Sequence, residues 1–311
     1  MFAVRFSEYG PPGVLAIAEI EEPHAGPGQI RVATRTTGIT PADWYLRSGG
    51  LRDSVPLALP HVPGMDAAGV VDEIGAGATD VALGQAVFGL TPIADLGGAA
   101  AEFAVLEAWA AKPYALSWEQ AGGAAGVVET ATRTLDELGV TAGTTLLIEG
   151  AAGGVGTATT QLATARGATV IGTAGERNHE FLAGLGAVPT TYGPGLVERV
   201  SALAPGGVDA VLDAAGSGSL PDLIAIAGDA SRVVSIADFT APECGVRFSR
   251  TGGPGGTAVA GHAGLAEAAA LAAEGRFTVP VHAVFPLKEY AAAHELSATR
   301  HARGKIVVTV P

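Results

Sequence analysis

An apolar run meets a glycine-rich turn in the middle of this sequence, and that junction constrains the chain more than anything else in it. Thr144-Thr145-Leu146-Leu147-Ile148-Glu149 is followed directly by Gly150-Ala151-Ala152-Gly153-Gly154-Val155-Gly156. A strand that ends in such a turn and opens a helix leaves unpaired backbone amides at the helix start. A pyrophosphate can be held there, and glycine lets it come close. Ala152 stands where the commonest glycine fingerprint has its second glycine, and alanine-glycine turns also close helices onto strands with no ligand at all.

The surroundings favour the binding reading. Strands are expected at 144–149, 168–173, 208–213 and 231–238, with helices over 154–166, 177–185 and after Ser219. Short apolar strands separated by helices are what a parallel sheet covered on both faces requires, so the middle of the chain reads as a doubly wound α/β domain. A helix over 117–138 precedes it, opened by Ser117, whose hydroxyl oxygen can accept from first-turn amides.

The first part has another texture. Short strand-like segments at 29–35, 67–74, 85–89 and 101–106 are punctuated by Gly10-Pro11-Pro12-Gly13 and Gly26-Pro27-Gly28, which predicts a compact β-rich barrel with little helix. The chain closes with a helix at 265–274, a strand-like 278–285, a helix at 288–296 and a strand at 305–310. No repeat of fixed period is present.

Composition narrows the function. The 311 residues are 48% hydrophobic and 16% charged, as in ordinary globular proteins. A net charge of −13, with no basic cluster, argues against a nucleic-acid partner. The lone Cys244 forms no internal disulfide and builds no thiolate zinc site, and it suits a reducing compartment. The opening Met1-Phe2-Ala3-Val4-Arg5-Phe6 has no signal-peptide pattern, and the apolar runs are too short for a membrane span. The expectation is a cytoplasmic enzyme acting on a small molecule.

Cofactor choice falls at the end of the next strand, Thr169-Val170-Ile171-Gly172-Thr173-Ala174-Gly175-Glu176-Arg177. A carboxylate there accepts from the ribose hydroxyl of NAD, whereas an NADP site supplies a cation for the 2′-phosphate. Thr173 and Ala174 occupy the strand end, and Arg177 can clamp a phosphate through paired hydrogen bonds, with Thr173 adding a hydroxyl. NADPH is therefore expected, with NADH as the alternative if Glu176 takes the ribose. Arg177 and Glu176 also read simply as surface residues.

Taken together the residues resemble the medium-chain dehydrogenase/reductase superfamily. The likeness runs through Tyr9-Gly10-Pro11-Pro12, Val62-Pro63-Gly64-Met65-Asp66-Ala67-Ala68-Gly69-Val70-Val71, the loop at 150–156, and the close from His294 to Gly304-Lys305-Ile306-Val307. It implies a Rossmann-type doubly wound domain at 117–279 and a β-rich GroES-like barrel domain at 1–116 and 280–311, with a homodimer paired through an edge strand within 251–284. The stretch Thr251-Gly252-Gly253-Pro254-Gly255-Gly256 would be a loop beside that strand.

Zinc alcohol dehydrogenases of the superfamily carry a cysteine near Thr40 and a histidine at Met65. Neither residue here offers zinc a ligand, so no metal is expected. What remains is similar to the quinone oxidoreductases and zeta-crystallins. By that resemblance, Thr40 and Tyr45 line the cleft near the nicotinamide and Asp43 stabilises its walls. Thr130, the loop residues Gly150, Ala151, Ala152, Gly153, Gly154, Val155 and Gly156, then Thr173, Arg177, Ala214, Ile236, Ala237 and Phe239 hold the cofactor. Glu129 is either a pocket carboxylate or, as the blander reading has it, an exposed helix residue. Tyr45 also reads as an aromatic space-filler and Asp43 as a helix cap.

Without a metal to polarise a carbonyl, hydride transfer suits a conjugated electrophile, with the hydroxyls of Tyr45 and Thr40 as donors to the developing oxyanion. The expected function is NADPH-dependent reduction of quinones or α,β-unsaturated carbonyls. The alternatives are an enoyl reductase of a specialised pathway and a regulatory protein that binds NADPH without turnover. An acyl-carrier substrate would call for basic residues at the cleft mouth, with Arg47 and Arg52 the candidates.

Overall fold

The computed structural model describes residues 1–251 and 261–311. They fall into two compact units, Met1–Val127 with Gly261–Pro311, and Val128–Ala260. The first unit opens with β1 (Phe2–Arg5), β2 (Ala16–Glu19), β3 (Ile30–Ile39), α1 (Pro41–Ser48), β4 (Asp66–Ile74), β5 (Ala86–Leu90), β6 (Phe103–Leu106), β7 (Ala108–Ala111) and α2 (Trp118–Gly122). Helix α3 (Ala125–Glu137) leads into the second unit. There follow β8 (Thr145–Glu149), α4 (Gly154–Ala165), β9 (Thr169–Thr173), α5 (His179–Gly184), β10 (Ala187–Thr190), α6 (Leu196–Leu203), β11 (Ala210–Asp213), α7 (Leu220–Ala227), β12 (Val233–Ser235) and β13 (Arg247–Phe248). The chain returns to the first unit with α8 (Gly261–Ala273), β14 (Val281–Pro286), α9 (Tyr290–Ala298) and β15 (Lys305–Thr309).

Strand β3 organises the first unit. Its ten residues pair along one edge with β4, and along the other with β6 at the N-terminal half and β15 at the C-terminal half. Ile30 and Val32 of β3 pack with Val71, Val87, Leu106 and Trp109 in one core. A second core joins Ile39 to Ile306, Val308, Leu287 and Tyr290. Each such fully buried large side chain stabilises the fold by roughly 1.5–3 kcal/mol.

The second unit is a six-stranded sheet in the order β10-β9-β8-β11-β12-β13, parallel throughout. Within the unit that is third, second, first, fourth, fifth, sixth, the order of a doubly wound dinucleotide fold. Leu146, Leu147 and Ile148 are all wholly buried, as a strand covered on both faces demands. Leu196 and Val200 of α6 and Leu220 and Leu223 of α7 complete this core. The expected combination of a doubly wound parallel sheet with a β-rich domain is the fold observed.

Several local expectations need correction. The helix over 117–138 is two helices, because the chain breaks at Gly122 and Gly123. A Cβ at Gly122 would lie 2.2 Å from Thr36 Oγ1, so this segment is pressed against β3 where only glycine fits. The compact units divide at 127/128 and 260/261, since α2 lies on β3 and β4 and α8 lies on β7. Strand β10, helix α6 and strand β13 were not anticipated: Pro189 disguises β10, which tolerates it as an edge strand, and β13 is only two residues long. Residues 252–256 of the expected loop, and 252–260 of the segment expected to hold the strand paired across a dimer, lie outside the described residues; the described strand in the rest of that segment, β14, pairs with β15. Among the described residues no helix is long and apolar enough to cross a membrane.

Candidate active site

The direction of strand order reverses between β8 and β11, whose last residues, Glu149 and Asp213, are register partners. Ligands of open α/β sheets bind in the crevice outside the carboxyl ends at such a switch point. The glycine loop begins there. Gly150 adopts φ +78°, a left-handed conformation suited to glycine, and its N–H donates to Thr173 Oγ1 at 3.2 Å. Ala151 N–H donates to Thr173 O at 3.1 Å. Thr173, wholly buried, thus ties the loop to β9.

Helix α4 starts behind Gly153, which has no side chain to cap it, so no side chain occupies the first-turn amides of Gly154, Val155 and Gly156. A Cβ at Gly153 would meet nothing closer than Gly150 O at 3.4 Å, whereas one at Gly156 would lie 2.4 Å from that oxygen. Gly156 therefore closes the helix onto the turn, and the space at Gly153 suits a pyrophosphate. Ala152 is buried and Val155 half-buried. Beyond Thr173 and Ala174, Glu176 and Arg177 are both exposed, and Arg177 pairs with no carboxylate among the described residues.

Asp213 and Ser235 were missed by sequence reading, although an aspartate closing a strand before Ala214-Ala215-Gly216 is itself a turn signal. Asp213 Oδ1 accepts from Ala215 N and Gly216 N at 3.0 and 2.8 Å, and Oδ2 accepts from Ser235 Oγ at 2.7 Å. Ser235 Oγ accepts in turn from Ala237 N and Asp238 N. The turns carrying Ala214, Ile236 and Ala237 are thereby fastened together at the crevice. Phe239 is exposed against Phe248, with ring centroids 5.2 Å apart. Glu149 is buried beside them, accepting from Ser217 Oγ at 3.0 Å and from Ser219 Oγ, and burial pushes its carboxyl above the usual range.

Thr130 is half-buried on α3, and its neighbour overturns the blander expectation for Glu129, which is 6% exposed and ion-paired. Glu129 Oε1 accepts from Arg133 Nε at 2.9 Å and from Thr251 Oγ1 at 3.0 Å, while Arg133 also donates to Ser249 Oγ. Thr130 Oγ1 lies 3.4 Å from Glu129 Oε2 and 3.5 Å from Arg133 Nη2.

The residues expected to line the substrate cleft lie in the first unit. Thr40 caps α1, and its backbone N–H and hydroxyl both donate to Asp43 Oδ2, at 2.6 and 2.8 Å. The Thr40 hydroxyl hydrogen is thus directed at Asp43 and not at a substrate. Asp43 Oδ1 accepts from Gly64 N at 3.2 Å, so this buried carboxyl joins α1 to the 62–65 segment. Burial raises its pKa to about 6 against the lowering effect of the Thr40 hydrogen bonds. Tyr45 stacks on Trp44 with centroids 3.8 Å apart, and its hydroxyl oxygen accepts from the Arg300 guanidinium.

Two further buried networks escaped sequence reading because their members are nearly a chain length apart. Lys305 Nζ donates to Ile39 O at 3.0 Å and stands 3.8 Å from Asp66 Oδ2, whose carboxylate also accepts from Gly38 N and Gly126 N. Arg47, offered as a cleft-mouth cation, is 4% exposed and donates to His294 Nδ1 and Gly10 O, so it serves the interior. Arg52 is exposed beside Asp53.

The comparisons with known proteins agree with this geometry. Residues 26–115 match the alcohol dehydrogenase GroES-like domain and residues 185–308 the zinc-binding dehydrogenase family. The chain is 28% identical to a quinone oxidoreductase of Sus scrofa over 99% of its own length and 97% of that protein. A solved NAD-dependent alcohol dehydrogenase is 30% identical, covering both chains completely with a TM-score of 0.83. The chain belongs to the medium-chain dehydrogenase/reductase family of alcohol dehydrogenases and is similar to its quinone oxidoreductases. A quinone oxidoreductase structure from Coxiella burnetii superposes with a TM-score of 0.81 at 28% identity over 100% of this chain and 99% of that one. As a member of this family the protein is an oxidoreductase of the nicotinamide-dependent kind, and the loop, the switch-point crevice and the uncapped α4 amides are suited to that cofactor. Among the described residues no cluster of three or more metal-ligating side chains is present.

Proposed function

We propose that this oxidoreductase uses NADPH to reduce quinones or α,β-unsaturated carbonyl compounds without a catalytic metal. One observation carries the cofactor choice: β9 ends in Thr173-Ala174 with no carboxylate, and the exposed Arg177 follows with no acidic partner among the described residues. A guanidinium in that position can take a 2′-phosphate bidentately. The amides of Gly154, Val155 and Gly156 hold the pyrophosphate, and the tied turns at Ala214 and Ile236 line the nucleotide.

Bound there, the reduced nicotinamide supplies a hydride. The protein orients the acceptor and offers a hydrogen to the oxygen on which negative charge gathers. Tyr45 is the residue for that task, because its oxygen already accepts from Arg300 while Thr40 is committed to Asp43.

Steady-state assays of the purified protein with NADPH or NADH against quinones, enones and saturated aldehydes test the reading. Turnover of conjugated acceptors with NADPH supports it. Preferential turnover of unconjugated aldehydes, or none with any acceptor, overturns it.

A further inference from the structure

Arg300 is the second residue past α9, and it occupies a left-handed backbone conformation with φ +58°. At the end of a helix this conformation is usually left to glycine, so the arginine stands there against backbone preference. Its side chain is held in place. The guanidinium lies 5.8 Å from the ring centroids of both Trp44 and Tyr45, and Nη2 donates to the Tyr45 hydroxyl. The residue is exposed, and among the described residues no carboxylate pairs with it, in a chain carrying 31 acidic residues against 18 basic ones. Nη2 of its hydrogen-bonding fork is engaged by Tyr45, and the residue as a whole is exposed.

We propose that Arg300 and the Trp44–Tyr45 stack form a substrate subsite selecting planar conjugated acceptors that carry an anionic oxygen group. The inference rests on the placing of Tyr45 at the acceptor. The guanidinium supplies charge-assisted hydrogen bonds to the anion, and the rings hold the cation at a fixed height beside the phenol. Of the two arginines weighed for the cleft mouth from sequence, Arg47 is buried and Arg52 sits beside Asp53, so Arg300 is the cation positioned for this work.

The test compares 1,2-naphthoquinone with 1,2-naphthoquinone-4-sulfonate as acceptors for wild type, Arg300→Gln, Arg300→Lys and Arg300→Gly. Glycine suits the backbone at this position, so Arg300→Gly keeps the comparison independent of folding. The ratio of kcat/KM for the sulfonated over the neutral quinone is expected to fall tenfold or more in Arg300→Gln and Arg300→Gly, and to fall least in Arg300→Lys. Rising salt should lower the ratio in wild type and not in Arg300→Gln. A ratio that is unchanged by the substitutions overturns the proposal, even where both activities drop together. Equilibrium binding of 2-naphthalenesulfonate against 2-naphthol, read by tryptophan fluorescence, separates this question from turnover. If neither quinone is reduced but the sulfonate still binds more tightly and does so through Arg300, the subsite stands and the reductase reading falls. No preference for the sulfonate in wild type refutes the subsite.

Discussion

The carboxylate of Glu129 and the guanidinium of Arg133 form a fully buried ion pair one turn apart on α3, with both residues 6% exposed and Nε to Oε1 at 2.9 Å. The pair reaches Ser249 and Thr251 far along the chain and touches the Thr130 hydroxyl on the way. Removing one partner strands the other charge in the interior, so Glu129→Leu and Arg133→Met should each cost about 3–5 kcal/mol. Replacing both together should cost much less than the sum. Urea unfolding of the four proteins, arranged as a double-mutant cycle, checks this, and additive losses would show the two residues to be uncoupled.

Asp43 and His294 give the fold opposing responses to pH. The Asp43 carboxyl, lifted by burial from 3.8 to about 6, binds its proton more tightly folded than unfolded. Its contribution is full below about pH 4 and is lost as pH rises through about 6, amounting to about 3 kcal/mol. Burial and the neighbouring Arg47 lower His294 from 6.5 to about 3, so its contribution is present above pH 6.5 and declines as pH falls, by at most about 1.4 kcal/mol per pH unit. Between pH 4 and pH 6 the two slopes oppose, so unfolding midpoints should rise with pH there in Asp43→Asn and fall with pH there in His294→Asn, with little pH dependence from either group above about pH 6.5. Profiles parallel to wild type in both variants would contradict the assignment.

Two glycines three residues apart, Gly153 and Gly156, separate folding from binding. Gly156→Ala would drive a methyl to 2.4 Å from Gly150 O and should destabilise the protein by about 1–3 kcal/mol. Gly153→Ala meets only an ordinary contact at 3.4 Å, so its melting temperature should stay near that of wild type. Calorimetric titration should nonetheless show its dinucleotide affinity reduced by tenfold or more, about 1.4 kcal/mol. Unaltered affinity in Gly153→Ala would mean that the pyrophosphate does not sit over this turn.

Thr40 and Tyr45, which sequence reading treats alike, should part company in kinetics. Tyr45→Phe removes the hydroxyl proposed to donate to the acceptor and should lower kcat/KM by roughly tenfold to a hundredfold. Thr40→Val removes the hydroxyl hydrogen bond to Asp43 while keeping the backbone one, and should cost about 1 kcal/mol of stability, with the smaller kinetic effect. A larger kinetic loss in Thr40→Val than in Tyr45→Phe would reverse these roles.

What the sequence revealed was local. The β8 run into its glycine turn, the alternation from β8 to α5 and the close at β15 carry their signals within a few residues and stand within a few residues of where expected, whereas β10, α6 and β13 gave no such signal. The Glu129–Arg133 spacing was equally visible as a helical pair, but its burial depends on Ser249 and Thr251, which no local pattern connects to α3. Asp66 with Lys305, and Arg47 with His294, join opposite ends of the first unit, and only the folded β3–β15 pairing and the packing of α9 bring them together. The break at Gly122 follows from the same cause, since the pressure of β3 on that segment is a tertiary contact.

The central claim is the use of NADPH through Arg177, and kcat/KM for NADPH and NADH with one common quinone, measured for wild type and Arg177→Ala, tests it most directly. NADPH should be preferred by tenfold or more in wild type, and the preference should collapse toward unity in the variant. Equal use of the two cofactors by wild type, or a preference that survives the substitution, would contradict it.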